Sequence, residues 1–191
     1  FSRFSLGKVI PAAKWKAMTI CTMPILGFTM VFYSIMNLFH LDFLPKQMME
    51  ISYLGFLPYN IIGSFISAYI FFGAIQEELI RCGKKSWVQL LTLSIMMLPA
   101  CIMSVTPSGD INVDLTVLSF ITLCYCSWIY SKTRSTIILI VLYFVSNLVP
   151  FHFESKVLGI LLLIAGTALT IGGFAALSRK LPEMLVKDED E

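Results

Sequence analysis

The sequence predicts an all-α integral membrane protein, a bundle of six transmembrane helices with both termini in the cytoplasm. Three observations lead to this fold class. The chain of 191 residues is 57% hydrophobic, whereas soluble domains are roughly 45–50% apolar. Six uncharged stretches are long enough to cross a hydrocarbon core, which takes about 17–25 helical residues. Lysine and arginine concentrate in alternate connections, a pattern typical of cytoplasmic loops.

The uncharged stretches define six predicted spans within one membrane domain, residues 17–178. The spans cover about residues 17–39, 51–76, 86–105, 113–130, 135–153 and 157–178. A basic segment, residues 1–16, precedes them, and an acidic tail, residues 179–191, follows. The short loops that remain leave no room for a soluble catalytic domain, so any chemistry must use groups inside the bundle or at its two rims.

Basic residues predict which ends of the spans are cytoplasmic. The cytoplasmic set is Arg3, Lys8, Lys14, Lys16, Arg81, Lys84, Lys85, Lys132, Arg134, Arg179, Lys180 and Lys187. The opposite loops contain Lys46 and Lys156. Trp15, Trp87 and Trp128 fall at the same cytoplasmic ends, where an indole prefers the level of the lipid headgroups. Because the basic residues are divided among four loops, they indicate membrane topology and not a nucleic-acid partner.

Individual spans carry further packing signals. Asn60, Ser64 and Ser67 make span two the most polar, so we expect it to face the bundle interior. The turn sequence Pro107–Asp110 predicts a tight external connection between spans three and four. Span six carries Ala168, Gly172 and Ala176 at four-residue spacing, a stripe that suits close helix contact. Internal packing is the favoured interpretation of this stripe, and contact with another subunit is the alternative.

The five cysteines do not predict a disulfide framework, because their number is odd and most of them lie inside spans. A membrane thiol–disulfide enzyme needs a C-x-x-C pair near a rim, whereas Cys124 and Cys126 form C-x-C. We interpret the cysteines as small apolar residues that fill the core.

The most suggestive local sequence for chemistry runs from Gln76 to Gly83, at the cytoplasmic end of span two. Glu77 and Glu78 are adjacent carboxylates, which at a membrane rim could activate a water as an acid–base pair. The alternative is structural. Glu77 and Arg81 are four residues apart, the spacing of a solvated ion pair at a helix end.

This sequence resembles the first motif of the CAAX protease and bacteriocin-processing family, the Abi family of intramembrane glutamic proteases. That motif is two glutamates, three residues, an arginine and usually a glycine. Glu77, Glu78 and Gly83 match it, while Cys82 stands at the arginine position and Arg81 comes one residue early. The chain therefore resembles a degenerate member of the family.

A later stretch, residues 128–147, resembles the family's final conserved region, in which a basic turn with a threonine precedes a helix bearing His-x-x-x-Asn. Asn147 matches the asparagine, and Tyr143 replaces the histidine. The family's middle motif is Phe-x-x-x-His. Met97 and Cys101 have the spacing of this motif, but neither residue type matches it.

The resemblance implies Glu77, Glu78 and Asn147 as candidate catalytic residues. Arg81 and Tyr143, with Asn60 of the polar span two, are the candidate substrate-binding residues. We expect Tyr143 and Asn147 to lie deeper in the membrane than the glutamates, so that the two groups do not meet unless span two dips inward.

A second polar cluster is predicted at the external rim. His40 and Asp42 end span one, and His152 and Glu154 end span five. Two imidazoles and two carboxylates could bind a divalent metal if these spans are neighbours. Unconnected polar residues at a rim are the commoner arrangement, so no metal and no cofactor is predicted.

Three functions remain open at the level of sequence. The first is a non-catalytic partner or scaffold subunit of a membrane complex. The second is a small-molecule transport component, such as a six-span substrate-binding or permease subunit. The third is an active intramembrane glutamic protease. The expected partners are the lipid bilayer and another membrane protein subunit, and the expected location is the cell membrane.

Overall fold

The computed structural model describes residues 12–39, 53–102, 113–146 and 155–185, and all regular secondary structure in these ranges is helical. Helix α1 is Ala12–Leu38. Three consecutive segments follow as one continuous second helix, residues 53–81: α2 (Tyr53–Ser67), a π-helix (Ala68–Gln76) and α3 (Glu77–Arg81). The remaining helices are α4 (Ser86–Ile102), α5 (Val113–Thr133), α6 (Thr136–Ser146) and α7 (Lys156–Leu185).

Each predicted span corresponds to one of these six helices. The second helix and α7 continue past the predicted limits, to Arg81 and Leu185. The reason is that charge ends the apolar stretch without ending the helix, since charged side chains at a rim leave the backbone hydrogen bonds intact.

Two helices in the described part of the chain are long and apolar enough to cross a membrane, Trp15–Leu38 and Lys156–Lys180. Ser86–Leu98 and Thr136–Ser146 are apolar but shorter. At about 1.5 Å per residue, the 11 residues of α6 extend only about 16 Å, roughly half of a hydrocarbon core.

Helix α6 lies at the centre of the bundle. Its sequence is apolar on every face, which is typical of a helix surrounded by others. Leu139 and Leu142 are fully buried. Helix α6 contacts α1, the second helix and α5, and α4 packs against α5.

Among the described helices, α1 and α7 form the most extensive contact, and glycines allow it. A Cβ atom added to Gly27 would lie 2.5 Å from the carbonyl oxygen of Gly166, and one added to Gly173 would lie 2.8 Å from Pro24. The two backbones therefore approach too closely for a side chain at these positions.

The predicted stripe of Ala168, Gly172 and Ala176 is not the one that packs internally. Ala168 and Gly172 are exposed, and a Cβ added to Gly172 would meet nothing within 4 Å. The internal contact uses Gly166 and Gly173 instead, so the prediction was wrong about the face. Small residues occur on both faces of α7, and spacing alone does not distinguish them.

The polar residues of span two face inward, as predicted. Asn60 and Ser64 are buried, and Ser67 is half-buried. Asn60 Nδ2 donates to the carbonyl of Phe144 on α6 at 3.3 Å, and Ser64 Oγ lies 3.3 Å from Asn60 Oδ1.

Contacts between helices bring their basic ends to one end of the bundle. Glu77 of α3 pairs with Arg134 in the turn between α5 and α6. Tyr125, in the second half of α5, donates its hydroxyl to the carbonyl of Cys21 on α1 at 2.6 Å and packs against Phe174 of α7. The start of α1 and the ends of α3, α5 and α7 therefore share one rim.

Candidate functional site

Glu77, the first residue of α3, is held by side chains from two parts of the chain. Its Oε2 accepts hydrogen bonds from Arg134 Nη1 at 2.8 Å and from Tyr130 OH at 3.1 Å. Its Oε1 lies 3.5 Å from Arg81 Nε. The ion pair predicted between Glu77 and Arg81 is thus present, but the shorter contacts come from two residues that we did not assign to the site.

Arg134 reaches Glu77 from an unusual backbone conformation. It has a φ of 49°, in the left-handed region, and its N–H donates to Tyr130 O at 2.9 Å. This hydrogen bond closes the last turn of α5, a role that more often falls to glycine. A residue with a Cβ in this conformation costs about 1–2 kcal/mol. The helix end and the ion pair to Glu77 therefore depend on the same residue.

The pKa of Glu77 is lowered by its partners. Burial raises this pKa, but the hydrogen bonds from Arg134 and Tyr130 and the charges of Arg134 and Arg81 together outweigh burial. The carboxylate is therefore ionised at neutral pH, with both oxygens engaged. A general base works best when its pKa is near the working pH, so Glu77 is a weak base in this arrangement.

Glu78, Arg81 and Cys82 are exposed at the same rim. Cys82 Sγ lies 3.9 Å from Glu78 Oε1, the distance of a weak thiol donor. Cys82 occupies the position where the resembling motif has arginine, so a thiol faces Glu78. The guanidinium of Arg81 contacts Glu77 instead.

Tyr143 is buried inside the bundle. Its hydroxyl donates to Met97 Sδ at 3.7 Å, and its ring packs on Phe72 with centroids 5.9 Å apart. Phe72 also contacts Tyr130, at 6.2 Å. Phe72 is fully buried and packs against both tyrosines, and Tyr130 also donates a hydrogen bond to Glu77.

The structure thus brings some of the predicted site residues together and leaves others apart. Glu77 meets Arg81, and Tyr143 meets Met97, which has the middle-motif spacing. Asn60 contacts α6 at Phe144, one residue after Tyr143. Asn147 lies outside the described residues, and so do His40, Asp42, His152 and Glu154 of the candidate metal cluster. Among the residues that the structure describes, no three His, Cys, Asp or Glu side chains group as metal ligands.

A buried polar cluster next to Glu77 was missed in the sequence. Gln76 Nε2 lies 3.1 Å from Gln89 Oε1 and 3.0 Å from both the carbonyl and the hydroxyl oxygen of Ser127. Gln89 Nε2 in turn donates to the carbonyl of Lys84 at 2.8 Å. Gln76 Oε1 is buried and accepts no hydrogen bond from the described part of the chain.

The sequence did contain a signal for this cluster. Gln76, Gln89 and Ser127 each lie within about one turn of a predicted cytoplasmic span end. Three polar residues at the same depth on neighbouring spans are expected to pair, because each would otherwise be buried without a partner.

The comparisons with known proteins give no family for this chain. No protein-family model, no curated protein and no solved structure matches it.

Proposed function

We propose that this protein is a multi-pass membrane protein that serves as a non-catalytic partner or scaffold subunit of a membrane complex. In this proposal it is a degenerate Abi-like chain, with six spans in the cell membrane and both termini in the cytoplasm. The observation that carries the proposal is the binding of Glu77 by Arg134, Tyr130 and Arg81.

The surroundings of the two glutamates argue against hydrolysis. A glutamic protease needs a carboxylate that is free to activate water and a donor aimed at the developing oxyanion. Both oxygens of Glu77 are engaged, and its pKa is lowered. Glu78 is exposed beside a thiol. Tyr143, at the family's histidine position, donates to a thioether.

The exposed apolar surface of α7 supports the membrane location. The most apolar part of Lys156–Lys180 is only 17% buried. A soluble protein buries one face of a helix as apolar as α7, whereas a membrane span presents apolar side chains to lipid. Val157, Leu161, Ile164 and Ile171 are each more than half exposed along this helix.

Complementation with a carboxamide variant tests the proposal. Glu78→Gln removes the exposed carboxylate and keeps the side-chain shape. We expect this variant to restore the wild-type phenotype to a strain that lacks the protein. We also expect any partner subunit that cross-links to the native protein in cells to co-purify with the variant in mild detergent. Glu77→Gln is the second variant. Loss of complementation with an unchanged melting temperature would favour the active protease.

A transport component is the second candidate, and the buried Gln76 cluster favours it. Polar groups inside a bundle, next to a change in helix geometry, are a common setting for substrate binding in transporters. Gln76 Oε1 is an acceptor without a described partner. If this cluster binds a substrate, Gln76→Leu will remove a small molecule that mass spectrometry finds with the purified native protein. Thr92→Val, on the same α4 as Gln89 but outside the cluster, is the control.

A further inference from the structure

We propose that the rim where α1, α5 and α7 meet binds the headgroup of an anionic phospholipid. The basic rim, as we call it, consists of Lys16, Lys132, Arg179 and Lys180. The inference rests on the membrane location proposed above, and it adds a specific lipid partner to it.

Tyr125 brings the three helices together below the basic rim. Its hydroxyl donates to Cys21 O at 2.6 Å, and its ring meets Phe174 edge-on at 6.0 Å. At about 1.5 Å per residue, Lys16 lies about 8 Å along α1 from Cys21, and Lys132 about 10 Å along α5 from Tyr125. Arg179 and Lys180 lie about 8–9 Å along α7 from Phe174. The four cations are therefore at a similar height at one end of the molecule.

No ion pair between described side chains neutralises the positive charge of the basic rim. All four side chains are exposed, and none forms an ion pair with an acidic side chain that the structure describes. On these three helices the acidic residues are Asp114, at the opposite end of α5, and Glu183, one turn beyond Arg179 on α7. At the other part of the rim, by contrast, Glu77 pairs with Arg81 and Arg134.

The same surface offers contacts for the apolar part of a lipid. Tyr125, Trp128 and Lys132 follow one another along one face of α5, and the rings of Tyr125 and Trp128 are 6.1 Å apart. Trp128 is 41% exposed and Phe174 47% exposed. A phosphate beside Lys132 would therefore have aromatic surface directly below it, where the glycerol and acyl chains of a phospholipid lie. This combination favours a phospholipid over a free anion.

Quenching of Trp128 by brominated lipids tests the proposal. A protein with Trp15→Phe and Trp87→Phe retains Trp128 alone and is reconstituted into vesicles with brominated phosphatidylglycerol or brominated phosphatidylcholine. We expect stronger quenching by phosphatidylglycerol, and a preference that falls ~5-fold for each basic-rim cation removed. Lys132→Gln with Lys180→Gln is the test pair. Lys84→Gln with Lys85→Gln removes the same charge from another part of the rim and should leave the preference unchanged.

The possible outcomes are distinct. Equal quenching by both lipids would overturn the lipid preference and leave the membrane location standing. No quenching by either lipid would contradict the membrane location itself. Loss of the preference on addition of inorganic phosphate would indicate a site for free anions and would also overturn the proposal.

A second measurement does not depend on the tryptophan substitutions. The melting temperature of the native protein in neutral detergent should rise more with added phosphatidylglycerol than with phosphatidylcholine. The difference should shrink in Lys132→Gln with Lys180→Gln, and an undiminished difference would overturn the assignment to the basic rim.

Discussion

The side chains around Glu77 come from distant parts of the sequence and determine what its carboxylate can do. Arg134 lies 57 residues away and Tyr130 lies 53 residues away. Together they join the end of the second helix to the turn between α5 and α6. A carboxylate that is held in this way links two helix ends, and the hydrogen bonds to its Oε2 come from protein donors.

Two substitutions of Arg134 separate the contribution of its ion pair to stability from the cost of its backbone conformation. Arg134→Ala removes the guanidinium but leaves a Cβ in the left-handed region. Arg134→Gly removes both the guanidinium and the strain. We expect Arg134→Gly to be more stable than Arg134→Ala by about 1 kcal/mol, measured as free energy of unfolding in detergent. Equal stability of the two variants would mean that φ is not strained at this position.

The lowered pKa of Glu77 predicts a stability difference that depends on pH. The ionised form is favoured in the folded protein, so its contribution is complete above the ordinary value of 4.5 and is lost as the pH falls through the lower folded value. We expect the native protein to exceed Glu77→Gln in unfolding free energy by about 0.5–1 kcal/mol at pH 7. The difference should decrease progressively below about pH 4.5. A difference that grows on acidification would contradict the assigned partners.

The π-helical segment shows why the sequence can predict that a helix is present without predicting its hydrogen-bond pattern. Ala68–Gln76 is apolar up to Gln76, and an apolar stretch predicts a helix without indicating its hydrogen-bond pattern. A π-helix has about one more residue per turn than an α-helix. The residues that follow it are therefore rotated around the axis of the second helix, and their side chains leave from a different side. Gln76 is fully buried and Glu77 points to Arg134. Neither direction follows from an α-helical projection of the sequence.

The pairing of α1 and α7 predicts opposite effects at two glycines on one helix. Gly166→Ala would place a Cβ 2.8 Å from the carbonyl oxygen of Gly27 and 2.9 Å from the Cβ of Met30. We expect a loss of about 1–3 kcal/mol from overpacking. Gly172→Ala adds a methyl to open space and should be neutral or stabilising by up to about 1 kcal/mol. Thermal unfolding of both variants in the same detergent makes the comparison.

The control in this experiment is Gly172→Ala itself, because it changes the same residue type in the same helix. Strong destabilisation by Gly172→Ala would mean that a partner subunit packs on the outer face of α7. Tolerance of Gly166→Ala would contradict the close approach of the two backbones.

At the scale of the whole molecule, the uncharged stretches predicted six helices because charge is costly inside a bundle. Which helix is central could not be predicted, since α6 and α7 are both apolar and only contacts distinguish the buried one from the exposed one. The inward positions of Asn60 and Ser64 followed from the sequence. The partners Arg134, Tyr130, Gln89 and Ser127 required the fold, because they come from other helices.

The orientation of the bundle leads to a final prediction, which Cys82 can test. Cys82 is exposed in the turn after α3, among the basic residues of the rim proposed to be cytoplasmic, whereas Cys21 and Cys126 are fully buried. A maleimide that cannot cross membranes should therefore label Cys82 in inside-out vesicles and not in intact cells. The Cys82→Ala variant is the control. The difference in labelling between the native protein and this variant is the labelling of Cys82, because the other cysteines are the same in both. Labelling of Cys82 in intact cells would place this rim, with Glu77 and the basic rim, outside the cell. It would contradict the cytoplasmic placement of both termini.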